Sequence, residues 1–374
     1  MNNFISRTDQ SVLGRWWWSV DRWMLLGIAI LILFGTILIA ASSPAIAERL
    51  HLPSFYFVLR HIFYLVPTIL IMLGLSMMPV QTVRRICTVV FLVTLTMLIL
   101  IPIVGSEHNG ARRWISFAGL SLQPSEFIKP SFAVVAAWLF SSQHKDYGFP
   151  GYIISCVLYA AIVGLLLLQP DLGMTIVVSA VWAIQFFMAG LPISIVAILF
   201  VFFVAGIFGV YLTFPHVSSR IDRFLDPNKG DTYQVDRALE AFRNGGFWGK
   251  GPGQGEIKNV LPDAHADFIF AVSGEEFGLV LTIGLVVLYA LIIARGMQRI
   301  RHCDNLFAML AVSGLLTQMA VQTLIHMGSS LRLLPAKGMT LPFVSYGGSS
   351  LLALGLAIGV VLALTRQQVI KRPN

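Results

Sequence analysis

Apolar runs of about 20 residues, enough to cross a hydrocarbon core of roughly 30 Å as a helix, recur along this chain from near its start to near its end. Ten stretches qualify: 24–42, 55–78, 86–104, 127–142, 152–168, 174–189, 193–214, 268–294, 306–328 and 343–364. The runs at 127–142 and 174–189 are the shortest. No pair of interrupted helices recurs in two halves, as it does in many transporters. Most polar connections are short, but residues 215–265 form one long loop between the seventh and eighth runs. Loops beyond about 15 residues without structure of their own are usually functional or disordered. This one carries Trp, Phe, Gly and charges of both signs, a mixture that argues against simple disorder.

Composition agrees with the pattern. Hydrophobic residues make up 56% of the chain and charged residues 12%, against about 25% charged in soluble domains, and the mean hydropathy is +0.79. The expected fold is an all-α integral membrane protein of about ten transmembrane helices. A single membrane domain, 24–365, follows an N-terminal segment, 1–23, and precedes a short tail, 366–374. The formal charge of +8 would suggest a nucleic-acid partner in a soluble protein. Here the basic residues sit at helix ends, where membrane orientation accounts for them, and no nucleic acid is expected.

The same residues set the orientation. Arg7, Arg15, Arg22, Arg84, Arg85, Lys145, Arg295, Arg299, Arg301, Arg366, Lys371 and Arg372 fall on one side; Arg49, Arg112, Arg113, Arg332 and Lys337 fall in the opposite short loops. By the positive-inside rule both termini are cytoplasmic and the large loop, 215–266, faces outward. Trp16, Trp17, Trp18 and Trp23 read as an interfacial belt before an uncleaved first helix. Cys87, Cys156 and Cys303 show neither disulfide nor metal spacing.

Candidate chemistry gathers where the long loop meets the eighth run, at Leu261-Pro262-Asp263-Ala264-His265-Ala266-Asp267-Phe268. Asp267 can be read as a helix N-cap, a position Asp favours. It can also be read as a partly desolvated carboxylate suited to accept a proton, with His265 and Asp263 close enough to orient it. Glu275 and Glu276 lie deeper in the same run, where charges are costly and either functional or paired. Glu126 and Lys129, spaced i, i+3 at the start of the fourth run, suit a salt bridge on one helix face. The stretch 244–255 is Gly-rich and flanked by Lys250 and Lys258. It is either a flexible hinge or an anion-binding nest of backbone N–H groups. Arg112 and Arg113 beside Trp114 suit an anionic headgroup. Gly347-Gly348-Ser349-Ser350 would let helices approach closely.

Taken together, Gly110-Ala111-Arg112-Arg113-Trp114-Ile115, Gln123-Pro124-Ser125-Glu126, Gln169-Pro170-Asp171-Leu172-Gly173, the Tyr233–Gly255 loop, His265-Ala266-Asp267-Phe268 with Gly274-Glu275-Glu276, and the segment from Lys337 to Ser350 resemble the SEDS family (shape, elongation, division and sporulation). The segment 335–342 is more similar to the division branch than to the elongation branch. Ala266 stands where a Thr is usual, and His326 and 328–332 also depart from the common pattern.

The resemblance implies a peptidoglycan glycosyltransferase of the bacterial cytoplasmic (inner) membrane, acting at the division septum. It would join an undecaprenyl-pyrophosphate-linked glycan to lipid II, with Asp267 as the essential aspartate. Arg112, Arg113, Arg220, Arg223, Lys250, Lys258 and His265 are candidates to hold the pyrophosphate or lipid II. Glu126, Lys129, Asp263, Glu275, Glu276, Lys337 and Ser345 would support the site. A divalent cation (Mg2+ or Mn2+) is a possible cofactor, and a class B penicillin-binding protein and other divisome proteins are the implied partners. Two other readings suit ten helices with buried charge: a lipid II flippase, and a non-catalytic scaffold for a transpeptidase.

Overall fold

Each of the ten apolar runs coincides with a helix in the computed structural model, which describes residues 11–108, 111–117, 120–146, 148–190, 193–213, 218, 222, 233–301, 303–335 and 338–366. The helices are α1 (Val12–Ser19), α2 (Arg22–Arg49), α3 (Tyr56–Met77), α4 (Val80–Val104), α5 (Pro124–Lys145), α6 (Gly151–Leu168), α7 (Leu172–Met188), α8 (Ile193–Thr213), α9 (Tyr233–Gly245), α10 (Ile269–Ile300), α11 (Leu306–Ser330) and α12 (Gly348–Leu364). Among the described residues, α2, α3, α4, α6, α10 and α11 are long and apolar enough to cross a membrane, and α7 and α12 are shorter apolar helices.

The least apolar of the crossing-length helices sits at the centre. α5 packs against α4, α6, α7, α11 and α12, and it buries Glu126, Lys129 and Ser131 along with its apolar residues. Protein on several sides, rather than lipid, lets it carry charge. α3 and α12 approach most closely where Gly348 meets the Tyr64 ring and Gly355 and Gly359 meet the α3 backbone at Thr68 and Met72, as expected for small residues in a membrane interface.

At one end of the bundle, Asp21 caps α2 and accepts from Arg295 Nε at 2.8 Å and Arg299 Nε at 2.5 Å on α10. Beside it, α1 docks through Trp16 Nε1, which donates to Ser76 Oγ at 2.9 Å.

Three features go beyond the apolar pattern. Before α5, Ser106–His108 (β1), Ala111–Phe117 (β2) and Leu120–Leu122 (β3) form a small antiparallel sheet in the order β1-β2-β3. Trp, Ile and Phe in Arg112–Phe117 favour a strand once one face can pack, and Ile115 packs on the core. The last helix begins at Gly348 rather than near 343, because Phe343 takes a positive φ of 61° and lies against Gly35 of α2.

The eighth apolar run is a broken helix. Gly278 has φ 74° and ψ −178° in the middle of α10, a conformation open essentially to glycine alone. The Gly-rich loop after α9 fills the break. Gly246 O and Phe247 O accept from Leu279 N and Val280 N, while Lys250 N and Gly251 N donate to Glu275 O and Glu276 O. Broken backbone at membrane depth is tolerated only where protein supplies such partners. The loop is therefore a docked plug, neither a free hinge nor an open nest.

Candidate functional site

The turns at 261–268 are built from the inside out. Leu261 and Ala264 are buried, and Arg49 Nη2 donates to Leu261 O at 3.1 Å. Asp263 adopts φ 50°, tolerable for Asp, and its carbonyl accepts from Ala266 N and Asp267 N, each at 2.9 Å. The segment 338–346 then grips the turns: Ser345 Oγ donates to Ala266 O at 2.7 Å, and Tyr346 N donates to His265 O at 3.0 Å. That gripping segment is itself anchored from below. Tyr289 donates to Pro342 O, Gln322 Nε2 to Thr340 O, and His326 Nδ1 lies 2.6 Å from Met339 O.

Asp267 is half-buried and does not cap α10, whose N-cap is Phe268 without a side-chain bond. Its carboxylate instead packs on Gly338, where an added Cβ would come within 2.8 Å of Oδ2. It faces a cavity of about 430 Å3 that Arg60, Tyr64, Trp114, Gln123, Glu126, Asp263, His265, Thr340 and Tyr346 also line. Helices α3, α5 and α12 begin at this cavity and α10 just behind it, so the positive ends of several helix dipoles converge there.

His265 is buried, with its ring 4.4 Å from that of Phe57 and 5.0 Å from that of Tyr346. Burial, with Arg49 nearby, pushes its pKa down to about 4. It is therefore neutral at physiological pH and packs rather than pairs with an anion. Because its folded pKa lies below the value of about 6.5 expected in the unfolded chain, the unfolded state takes up a proton first on acidification. Stability from this group is complete above pH 6.5 and is lost as pH falls toward 4. Between pH 7 and 5 the loss is expected to be about 2 kcal/mol. The melting shift over that interval should shrink in His265→Phe; an unchanged shift would count against a buried neutral imidazole.

Glu126 and Lys129 form the expected i, i+3 pair at 2.9 Å, both buried. Lys129 Nζ also reaches Gln322 Oε1 at 3.2 Å, and Gln322 continues to Thr340. The pair thus joins the cavity floor to the segment that grips Asp267.

Other candidates lie elsewhere. Lys258 Nζ pairs with Glu276 at 2.6 Å, and Lys250 lies 3.5 Å from Glu256 and 3.8 Å from Glu275. Glu275 also accepts from Glu256 N and Ile257 N. Lys250, Lys258, Glu275 and Glu276 thus fasten the Gly-rich loop to α10, and none lines the cavity. Arg113 donates to Gln169 O and Pro170 O, and Arg112 to Pro102 O, so both brace the sheet against neighbouring turns. Arg220, Arg223 and Lys337 lie outside the described residues.

Arg60 is the cation that sequence reasoning missed. Among the described residues it is the only Lys or Arg lining the cavity. It lies in the first turns of α3, inside an apolar run, where an arginine is costly enough to signal a role. A cavity-facing arginine with the carboxylates of Glu126, Asp263 and Asp267 near converging helix N-termini suits an anionic leaving group beside a proton acceptor. Among the described residues no three His, Cys, Asp or Glu side chains cluster as metal ligands.

A family model described as cell cycle protein, covering FtsW, RodA and SpoVE, matches residues 22–370. A probable peptidoglycan glycosyltransferase FtsW of Caulobacter vibrioides is 42% identical over 99% of this chain and 94% of its own. Another of the same description, from Coxiella burnetii, is 34% identical over 93% and 96%. Among solved structures, a chain of a peptidoglycan synthase complex that coordinates polymerization and crosslinking superimposes with TM-score 0.75 and 28% identity, covering 92% of this chain and 97% of that one. The rod shape determining protein RodA of Thermus thermophilus gives 0.69 and 26% over 93% and 97%.

Proposed function

The chain belongs to the FtsW, RodA and SpoVE family of cell cycle proteins, and from that membership we propose that it polymerises lipid II with Asp267 as general base and Arg60 holding the pyrophosphate. It is a peptidoglycan glycosyltransferase and an integral inner-membrane protein. The observation that carries the residue assignment is the sharing of one cavity by Asp267 and Arg60.

The acceptor is a sugar hydroxyl of lipid II and the donor a glycan carried on undecaprenyl pyrophosphate. Asp267 takes the hydroxyl proton as that oxygen forms its bond to the donor's anomeric carbon. The bond from that carbon to the pyrophosphate breaks, and the leaving group departs with the electron pair. A single displacement with one base inverts the anomeric centre, whereas retention normally needs a second, nucleophilic carboxylate. Arg60 and the convergent helix N-termini are placed to stabilise charge that grows on the pyrophosphate. Glu126, already engaged by Lys129, orients the acceptor rather than competing for its proton.

Height supports the same reading. If Gly278 marks the edge of the hydrocarbon, the turns of α10 from Gly278 back to Ile269 lift Asp267 about 14 Å beyond it. Headgroup layers account for roughly 5–8 Å on each side. A sugar carried above its lipid phosphates would meet Asp267 at that level. Both termini cytoplasmic, ten crossings, an outward loop, a septal location and a class B penicillin-binding partner complete the proposal. Glu275 and Glu276, which as bare intramembrane charges would suit a lipid II flippase, are occupied by Lys258 and by loop amides and lend that reading no support. The Asp267–Arg60 cavity likewise favours an enzyme over a scaffold.

The test uses the purified chain with its partner transpeptidase and labelled lipid II. Arg60→Gln should lower kcat/KM for polymerisation by about 10- to 100-fold, the worth of one hydrogen-bonded charge, with Arg60→Lys intermediate because it cannot bind in a bidentate fork. Wild-type turnover in Arg60→Gln would remove the clamp, and no glycan from the wild type would remove the enzyme.

A further inference from the structure

Phe247 and Trp248 are 69% and 82% exposed although the loop that carries them is docked tightly on α10. We propose that this aromatic tip is set into the phospholipid leaflet on the Asp267 side, so that part of the large polar loop returns to the bilayer.

The first ground is continuity. Gly246 O and Phe247 O bond to Leu279 N and Val280 N, which places the tip at the start of an exposed apolar row on α10. Leu279, Val280, Leu281, Ile283, Val287 and Leu291 belong to that row, each between 45% and 61% exposed. In a membrane protein such a row faces acyl chains, and the tip extends it without a gap.

The second ground is depth. Arg295, bound to Asp21, marks one polar boundary of α10. From Arg295 to Gly278 the helix rises about 26 Å, close to the hydrocarbon thickness of roughly 30 Å. The break at Gly278, and with it Phe247 and Trp248, therefore lies at the opposite edge of the hydrocarbon. Trp is enriched at that level because its ring is apolar and its N–H is not.

The closed backbone account of the loop is what permits this position. Leu279 N, Val280 N, Glu275 O and Glu276 O at the break all find partners in the loop, so α10 can break at the edge of the hydrocarbon without leaving these groups bare beneath the tip. Through Glu275 and Glu276 the same loop is tied to Lys258 and to the amides of Glu256 and Ile257, a few residues before Asp267. The tip would thus fix the height of the reactive turns above the leaflet.

The full chain, with Cys87, Cys156 and Cys303 replaced by Ala, is reconstituted in phosphatidylglycerol–phosphatidylethanolamine vesicles and spin-labelled at Trp248→Cys. Ile283→Cys serves as the lipid-facing reference and Asn244→Cys as the aqueous one. Collision with oxygen relative to a water-soluble nickel chelate should exceed the Asn244 reference several-fold and approach that of Ile283, which lies about 7 Å deeper along α10. A ratio equal to the aqueous reference overturns the proposal. So does a label that is aqueous in the chain alone and protected only when the transpeptidase is added, since that makes the tip a protein contact. An unlabelled measurement guards against disturbance by the probe. Lipids brominated near the carbonyls should quench wild-type fluorescence more than that of Trp248→Phe, and equal quenching would also overturn it.

Discussion

Asp267→Asn is expected to lower glycan polymerisation by about 100- to 10,000-fold, the range that a positioned general base contributes, while the protein melts at the wild-type temperature. The fold should tolerate the change because the turn at 261–268 is held by main-chain and neighbouring groups. Asp263 O, Ser345 Oγ and Tyr346 N make the bonds, and the Asp267 side chain is not the cap of α10. Asparagine keeps the volume packed against Gly338 while removing the negative charge and with it the capacity to take a proton. Asp263→Ala, which alters an exposed side chain on the same cavity, should retain most activity. Glycan ladders from labelled lipid II measure both variants. Equal losses in the two would mean that the cavity needs negative charge in general rather than a base at one place. Unchanged synthesis in Asp267→Asn would remove Asp267 from the chemistry.

Gly278→Val should be the most disruptive single change outside the cavity. Its φ of 74° with an extended ψ is strained for any residue with a Cβ, at about 1–3 kcal/mol. The added Cβ would also lie 2.3 Å from Gly249 N and 2.5 Å from Phe247 O, both backbone atoms that cannot swing aside. Either the plug leaves the break, exposing four backbone groups that the loop now satisfies, or α10 distorts beneath Asp267. A fall in melting temperature together with loss of polymerisation is expected. Gly284→Ala is the control, since nothing lies within 4 Å of a Cβ there, and its effect should stay within about 1 kcal/mol. If Gly278→Val melted like Gly284→Ala, the break would be ornamental.

Both results bear on what a linear reading can reach. Arg60 escaped it because an arginine in the first turns of an apolar run belongs to neither loop in an orientation count. Its cost becomes meaningful only once α3 is seen to line a cavity shared with α5, α12 and the turns at 263–267. Lys250 and Lys258 looked like anion binders because a glycine-rich segment flanked by lysines has that composition in many contexts. Glu276 takes Lys258, and Glu275 together with Glu256 takes Lys250. Arg112 and Arg113 were similarly drawn off by carbonyls at 102 and 169–170. The partners range from Glu256, near Lys250 in the chain, to the distant Gln169, Pro170, Glu275 and Glu276, and charge alone does not say which of them a cation meets.

The chain itself determined the membrane setting, the mostly helical fold of its apolar runs and the i, i+3 pair of Glu126 and Lys129. It also marked the junction at His265 and Asp267 as the place where polar loop becomes helix. These are properties of local composition and period, which a neighbourhood of a few turns contains in full. The tertiary structure decided the rest: that α10 breaks at Gly278 and is repaired by the Gly-rich loop, that Asp267 is released from capping to face a cavity, and that Arg60 stands in that cavity with it. Those outcomes depend on backbone groups and charges finding partners across the fold, where burial leaves no water to take a partner's place.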